Sequence, residues 1–281
     1  MARQLRSLNG RVVAITGGAR GIGRATAAAL LAQGAKVAIG DLDAELCRQV
    51  AGELGAGAIG LPLDVTSRER FEGFLDAVQR ELGPLDVLVN NAGIAPAGAF
   101  ASETDAVTAH VLEVNLGGAV LGCKLAVERL VPRGTGHIVN IASALGRTAV
   151  PGMASYCASK FAIVGLSEAL RAELDGSGVE LHVILPGLIR TDMAAGVKGL
   201  RGIPTGSPDD VAAAVVDALR TGRQQSFVPR RLGWLVALQP ITPPAGVRLL
   251  QRLLRADRLF TQIDALERAA YEARLRSGES G

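Results

Sequence analysis

The 281-residue sequence predicts an α/β fold, in which a parallel, doubly wound sheet of about seven strands lies between two layers of helices. Short apolar runs rich in β-branched residues alternate along the chain with longer segments of helical periodicity. The runs are apolar throughout, as expected for strands that are covered on both faces. The segments between them are long enough for the right-handed crossovers that join parallel strands.

Composition excludes several classes of function. The chain has 30 basic and 27 acidic residues, a balance that argues against a nucleic-acid-binding surface. Its three cysteines (Cys47, Cys123 and Cys157) have neither disulfide-like nor metal-like spacing, and its three histidines are scattered, so we expect a reduced compartment and no metal. We find no signal-peptide core and no apolar run of membrane-spanning length, and we therefore expect a soluble, cytoplasmic protein.

The first unit reads as strand, glycine turn and helix. RVVAIT begins at Arg11, GGARGIG follows, and the helix ends at Gly34. Gly17, Gly21 and Gly23 would let the backbone approach a diphosphate, which the helix N-terminus then attracts. The spacing departs from the usual G-x-G-x-x-G pattern. The flanking strand and helix nevertheless predict a dinucleotide site.

An acidic residue ends the second strand. Asp41 lies 18 residues after Gly23, about where a carboxylate hydrogen-bonds the adenosine ribose. Its charge would repel a 2′-phosphate, which favours NAD over NADP. Arg20 in the glycine turn favours NADP instead, because its guanidinium could bind a 2′-phosphate. NADP is therefore the alternative cofactor. Asp41 could also cap the next helix, although Asp43 fits that position better.

The middle of the chain supplies further polar candidates. Asp64 and Val65 follow the third strand and either contact the adenine or form a plain turn. Asn90 and Asn91 end the fourth strand and either brace neighbouring strands or line the cofactor. Asn115 lies inside a long helical segment, where asparagine is unfavourable, and we expect it to hold a water or a carbonyl at a kink.

The segment from Ser143 to Lys160 carries the acid–base candidates. Ser143 ends the fifth strand and faces the crevice where α/β sheets bind ligands. Tyr156 and Lys160 are four residues apart on a helix and share one face. The ammonium is expected to lower the phenol pKa from about 10, so that the phenol can exchange a proton with an alcohol or ketone.

Together these residues resemble the short-chain dehydrogenase/reductase family over roughly residues 10–230. The matching positions are Thr16, Gly17, Gly21, Gly23, Asn90, Asn91, Ala92, Gly93, Asn115, Ser143, Tyr156, Lys160, Pro186, Gly187 and Thr191. The resemblance implies a single Rossmann-type domain over residues 1–229. It also implies a homodimer or homotetramer that packs through the helices of Asn115 and Tyr156.

The resemblance assigns roles residue by residue. Tyr156 is the general acid/base, and Lys160 lowers its pKa and bridges the nicotinamide ribose hydroxyls. Ser143 polarises the substrate oxygen, and Asn115 positions a water in a proton relay. The implied cofactor-binding residues are Gly17, Arg20, Gly21, Ile22, Gly23, Asp41, Leu42, Asp64, Val65, Asn91, Ala92, Gly93, Tyr156, Lys160, Pro186, Gly187, Ile189 and Thr191.

Two later segments bear on the substrate. Residues 188–206 are rich in small residues and suit a mobile flap over a ligand. Residues 230–281 form an extension that holds Trp234 and an amphipathic helix with Val247, Leu250, Leu253 and Leu254 on one face. This extension is a helix docked on the domain or a partner subunit, a wall of an apolar pocket, or a peripheral membrane contact. We expect its last residues to be frayed.

These observations predict an NAD(H)-dependent oxidoreductase that interconverts a secondary alcohol and a ketone. An apolar substrate of the steroid, retinoid or fatty-acyl type suits the extension. One alternative is an NADP(H)-dependent 3-oxoacyl-thioester reductase. Another is a dinucleotide-sensing protein without turnover, which usually lacks one of Ser143, Tyr156 or Lys160.

Overall fold

The computed structural model describes residues 5–238, 242–256, 258–261 and 263–277. Its seven strands form one parallel sheet in the order β3-β2-β1-β4-β5-β6-β7. The strands are β1 (Val12–Thr16), β2 (Lys36–Asp41), β3 (Ala58–Pro62), β4 (Val87–Asn90), β5 (Gly136–Ile141), β6 (Val179–Pro186) and β7 (Gln225–Val228). The predicted α/β architecture with a parallel, seven-stranded sheet is confirmed.

Helices cover both faces of this sheet. Those of the first 229 residues are α1 (Gly21–Leu31), α2 (Ala44–Leu54), α3 (Arg68–Leu82), α4 (Asp105–Leu112), α5 (Gly118–Leu130), α6 (Ala154–Glu173) and α7 (Pro208–Thr221). The extension contributes α8 (Arg230–Leu238), α9 (Pro244–Leu253) and α10 (Ala265–Ser277). The fraying was expected for the SGESG end, of which Ser277 ends α10 and residues 278–281 fall outside the described part of the chain.

Alternation along β1 divides the core into two layers. Val13 and Ile15 point to the layer that holds α1, α2 and α7, whereas Val12 and Ala14 point to the layer of α3, α5 and α6. Because β1 lies between β2 and β4, the strand order reverses there. In sheets of this kind the crevice at the carboxyl ends of the strands binds ligands at such a reversal.

Local chemistry sets the helix starts as predicted. Asp43, and not Asp41, caps α2 by accepting a hydrogen bond from the amide of Leu46 at 3.0 Å. Asp41 is thereby left at the carboxyl end of β2, at the edge of the crevice.

One helical run corrects the expectation about membrane-spanning segments. Asp105–Arg133 is continuous over 29 residues with a mean hydropathy of 1.3, and by length and composition alone it could cross a membrane. It includes α4, a π-helical turn and α5. Val111, Leu125 and Leu130 from this run are buried in the core layer beside the sheet, as in the core helix of an α/β domain.

Candidate active site

A cavity of about 550 Å³ lies at the carboxyl ends of the strands. Thirteen of the predicted site residues line it, namely Gly17, Arg20, Gly21, Ile22, Asn91, Gly93, Ser143, Tyr156, Lys160, Pro186, Gly187, Ile189 and Thr191. The other predicted residues lie outside its lining, and they are Gly23, Asp41, Leu42, Asp64, Val65, Ala92 and Asn115.

The glycine turn packs so tightly against neighbouring backbone that side chains at Gly17 and Gly23 would not fit. A Cβ on Gly17, whose φ is +61°, would lie 2.9 Å from the Cα of Ala92, and a Cβ on Gly23 would lie 2.2 Å from the carbonyl oxygen of Gly17. The Asn91 amide donates hydrogen bonds of 2.9 Å to the carbonyls of Thr16 and Gly17. Asn91 therefore braces the turn and also lines the cavity.

The start of α1 fits an anion. Arg20 at the N-cap makes no side-chain cap, and the first turn of α1 has no acidic residue. The amide groups at this N-terminus are thus available to a diphosphate, which the helix dipole also favours. Gly21 has a φ of +48°, and a Cβ at this position would lie 3.3 Å from the Thr191 side chain. A glycine therefore lets the turn pass close to Thr191.

Asp41 fits the ribose end of a dinucleotide. It is 3% exposed, and its Oδ2 accepts a long hydrogen bond of 3.4 Å from the amide of Ala19. Its Oδ1 is buried without a partner among the residues that the structure describes. Burial raises the pKa of this carboxyl, and the nearby Arg20 acts in the opposite direction. A buried acceptor without a donor is costly, and a ribose hydroxyl would satisfy it.

Lys160 lies beneath the ring of Tyr156. Its Nζ is 5.6 Å from the ring centre and donates a hydrogen bond of 3.0 Å to the carbonyl of Ile141. The residue is 4% exposed, and this burial lowers the pKa of the ammonium to about 8. The predicted closeness of the two side chains is therefore observed.

The predicted direction of the Tyr156 pKa is wrong for the protein alone. Burial raises this pKa, the hydrogen bond with Ser143 lowers it by less, and the neighbouring Tyr271 raises it further. Removing a phenolate from water outweighs the other influences. In this structure the phenol is thus in its protonated, proton-donating form at neutral pH.

Ser143 is held in place by backbone groups. Its Oγ accepts a hydrogen bond from the amide of Leu145 at 3.1 Å and donates one to the carbonyl of Pro186 at 3.4 Å. The residue is buried, and its hydroxyl reaches Tyr156. The two hydroxyls therefore face the same part of the cavity, where a single substrate oxygen could contact both.

Asn115 lies at the predicted kink, which is the π-helical turn Glu113–Gly117. Its amide accepts a hydrogen bond from the Ile94 nitrogen at 2.8 Å and donates one to the Ile94 carbonyl at 2.9 Å. The side chain thus holds a backbone segment, as the carbonyl alternative predicts. A separate cavity of about 10 Å³ borders Asn115 and Lys160, and this volume matches one water molecule.

Three other predicted residues make structural contacts. Asp64 accepts hydrogen bonds from the amide and hydroxyl of Thr66, and so forms a turn. Val65 packs against Gly118, where a Cβ would come within 2.8 Å of it. Asn90 donates to the Asn140 Oδ1 at 2.9 Å and braces β4 against β5.

The extension brings residues to the site that the sequence patterns did not single out. Tyr271 of α10 lines the cavity, and its hydroxyl accepts a hydrogen bond of 2.9 Å from the amide of Ala95. Arg268 contacts the ring of Tyr271 and donates to the carbonyls of Met193 and Ala95. The sequence offered one signal for Tyr271, which is that tyrosine occurs only twice in the chain. The structure shows that both tyrosines line this cavity.

The extension also forms much of the cavity wall. Leu232, Leu235 and Val236 of α8 line it together with Val247 of α9 and Phe260. Among the described residues, the extension therefore contacts the domain and lines an apolar part of the cavity.

Two histidines, expected to be scattered, are in contact on the neighbouring strands β5 and β6. The Nδ1 of His137 and the Nε2 of His182 are 3.1 Å apart, and with Glu180 they place three potential metal ligand atoms within 4.8 Å of one another. Arg6 pairs with both oxygens of Glu180. The carboxylate is thus neutralised by a guanidinium in this structure.

The three cysteines are buried and free, and burial raises the pKa of each thiol. A protonated, buried thiol is a poor nucleophile.

Comparison with known proteins agrees with this geometry. The model of the short chain dehydrogenase family matches residues 11–199. D-threitol dehydrogenase of Mycolicibacterium smegmatis is 38% identical over 223 residues, which cover 74% of this chain and 85% of that protein. A 17-beta-hydroxysteroid dehydrogenase 13 from Rattus norvegicus is 30% identical over 255 residues, covering 88% of this chain and 84% of that protein.

A third relative is much longer than this chain. The probable oxidoreductase EphD of Mycobacterium tuberculosis is 40% identical over 232 residues, which are 74% of this chain but 39% of EphD. The chain therefore spans about two-fifths of that relative. The family match, these identities and the convergence of Ser143, Tyr156 and Lys160 on one cavity lead to a single conclusion: the chain belongs to the short-chain dehydrogenase/reductase family.

Proposed function

We propose that the protein is an NAD(H)-dependent oxidoreductase that interconverts a secondary alcohol and a ketone on an apolar substrate. The observation that carries this proposal is the meeting of Ser143, Tyr156 and Lys160 in a cavity that also contains the glycine turn. These groups supply the proton chemistry of the reaction, and the glycine turn supplies a place for a diphosphate.

Tyr156 and Ser143 act on the substrate oxygen. In reduction, the phenol of Tyr156 donates its proton to the ketone oxygen while Ser143 donates a hydrogen bond to the same atom. A nicotinamide held at the glycine turn would supply the hydride in reduction and accept it in oxidation. In oxidation, the alcohol proton passes to the phenolate, so the same residue serves both directions. The raised pKa of Tyr156 favours the proton-donating form of the phenol.

Lys160 supports the phenolate through its charge. With a pKa of about 8, it is mostly protonated at neutral pH. Its ammonium is close to the Tyr156 ring and borders the small cavity beside Asn115. A water in that cavity would connect Lys160 to Asn115, as a proton relay requires.

The cavity wall supports an apolar substrate. The part contributed by the extension and by residues 188–206 consists largely of leucine, isoleucine, valine and methionine side chains, among them Leu200, Ile203, Met193 and Leu259. The relatives named for D-threitol and for hydroxysteroids differ sharply in substrate polarity. An apolar wall matches a steroid-like, retinoid-like or fatty-acyl substrate better than it matches a small polyol.

The buried carboxylate of Asp41 supports NAD over NADP, because it would repel a 2′-phosphate. One observation favours the second candidate, an NADP(H)-dependent 3-oxoacyl-thioester reductase: Arg20 lines the cavity, where a guanidinium can bind a phosphate. Arg20 lies 3.4 Å from Asp43 in an ion pair, which reduces its availability. Fluorescence titrations with NADH and NADPH separate the two candidates, and tighter NADPH binding would overturn the cofactor assignment.

The test of the proposed base is Tyr156→Phe. The variant keeps the ring and removes the hydroxyl, so we expect kcat on a responsive alcohol or ketone to fall by a factor on the order of 10³. NADH affinity should change little, because the ring and the glycine turn remain. Wild-type turnover by the variant would exclude this role for Tyr156. A wild-type protein that binds NADH but turns over no member of a broad alcohol and ketone panel would favour the non-catalytic alternative.

A further inference from the structure

The first part of the extension has an unusual charge pattern. Residues 230–256 contain five arginines and no acidic residue, which gives them a formal charge of +5, whereas the whole chain has +3. The arginines are Arg230, Arg231, Arg248, Arg252 and Arg255. A local excess of this size on a nearly neutral protein indicates a surface that meets anions.

The same stretch exposes large apolar side chains. Trp234, the only tryptophan, is 78% exposed on α8, and Leu238 on the same helix is more than half exposed. Leu249 and Leu253 on α9 are also more than half exposed. Large apolar side chains exposed within one short segment indicate an interaction surface. We call Trp234, Leu249 and Leu253, with the exposed Arg231, Arg248 and Arg252, the outer face of the extension; Leu238 also lines the cavity and is not part of it.

The inner faces of the same helices border the cavity. Leu235 and Val236 of α8 line it, as do Val247 and Leu254 in and after α9. A wall about one helix thick therefore separates the outer face from the cavity. An apolar compound held at the outer face would be close to the cavity that we assign to the substrate.

We propose that the outer face binds an anionic lipid surface, with Trp234 and the leucines in the interfacial region and the arginines on the headgroups. Helices with a basic polar side and Trp or Leu on the other side bind membrane surfaces in this way. Arginines near an anionic leaflet strengthen such binding. The lipid contact itself is independent of the proposed function. Only the delivery of an apolar substrate from the lipid to the cavity depends on that function.

A second copy of this chain is a poorer occupant of this face. A two-fold contact places each residue of the patch near the same patch on the partner. Arg231, Arg248 and Arg252 of one copy would then face the same arginines of the other, and residues 230–256 hold no acidic residue to balance them. Arg230 is outside this face and pairs with Asp217 at 3.4 Å. An anionic lipid surface provides the missing charge.

The single tryptophan makes the proposal directly measurable. Full-length protein is titrated with phosphatidylcholine vesicles that contain roughly a third phosphatidylserine, and with vesicles of phosphatidylcholine alone, at low and high salt. We expect the Trp234 emission to shift to the blue and the protein to float with the anionic vesicles, with a loss of binding at high salt. No flotation, or equal binding to neutral vesicles, would overturn the proposal. A blue shift that depends on protein concentration without vesicles would assign the face to self-association instead.

Matched variants test whether vesicle binding depends on this surface or on exposed charged and apolar residues in general. Arg248→Gln with Arg252→Gln should weaken anionic-vesicle binding about 20-fold, and Leu253→Ser should reduce the blue shift. The controls are Arg80→Gln, near the end of α3, and Val131→Ser, just after α5, which alter exposed residues where the strands begin. Controls that lose binding as strongly as the patch variants would overturn the assignment. Retained NADH binding shows that a variant is folded, and a failed Tyr156→Phe test would leave the vesicle result intact.

Discussion

Arg268 anchors α10 to two segments beside the cavity. It is 2% exposed, and its two terminal nitrogens donate hydrogen bonds to the carbonyls of Met193 and Ala95, while its guanidinium stacks 5.0 Å from the centre of the Tyr271 ring. These carbonyls belong to two different loops beside the cavity. One buried cation therefore joins the extension, the 188–206 flap and the loop after β4.

Arg268→Met keeps much of the length and removes both donors. Each hydrogen bond from a charged donor contributes about 1.5–3 kcal/mol. Burial lowers the pKa of this guanidinium, so relief of its desolvation offsets part of the loss. We expect a net weakening of α10 docking by about 2–3 kcal/mol, which corresponds to a 30- to 150-fold faster local opening.

Hydrogen exchange of α10 peptides, followed by mass spectrometry, measures this opening. Leu266→Ser changes a residue of the same helix that is 89% exposed, and it should leave the exchange rates unchanged. Arg268→Lys retains the charge without the planar fork and should fall between the wild type and Arg268→Met. Exchange of α10 at the wild-type rate in Arg268→Met would show that the helix is held by other contacts and would refute this reasoning.

Three further predictions follow from buried ionisable groups. Asp41→Asn removes the charge that opposes a 2′-phosphate, so the ratio of NADPH to NADH affinity should rise at least about tenfold in fluorescence titrations, and an unchanged ratio would exclude Asp41 from the ribose site. Ketone reduction should fall about tenfold from pH 7 to pH 9, because Lys160 has a pKa of about 8 and loses its proton in this range, whereas a flat kcat/KM profile would contradict its role. Burial and the nearby His182 lower the pKa of His137 to about 4, so below the unfolded value of about 6.5 only the unfolded chain gains this proton. His137 should therefore contribute a fall of about 2 kcal/mol in the free energy of unfolding from pH 7 to pH 5 in urea titrations. His137→Gln should lose this share, while the buried His182, whose pKa is also lowered, keeps its own.

The parts of the site that were predicted correctly are set by short stretches of chain. Tyr156 and Lys160 share a helix face because they are four residues apart, and Gly17, Gly21 and Gly23 lie in one turn between a strand and a helix. Asp43 caps α2 because its side chain meets an amide three residues on. Each of these contacts depends on backbone geometry over a few residues, which residue type and spacing determine.

Packing between segments that are distant in sequence determines the properties of the site that only the tertiary structure decided. The pKa of Tyr156 is raised and not lowered, because the extension and the flap help to bury the phenol, and no local pattern reports that burial. Tyr271 and Arg268 reach the site, and His137 meets His182, through contacts between residues 45 to 176 positions apart. The sequence by itself determined which groups do the chemistry, since local spacing places them. Only the folded structure decided how strongly water is excluded from them, since that depends on every segment that packs around the cavity.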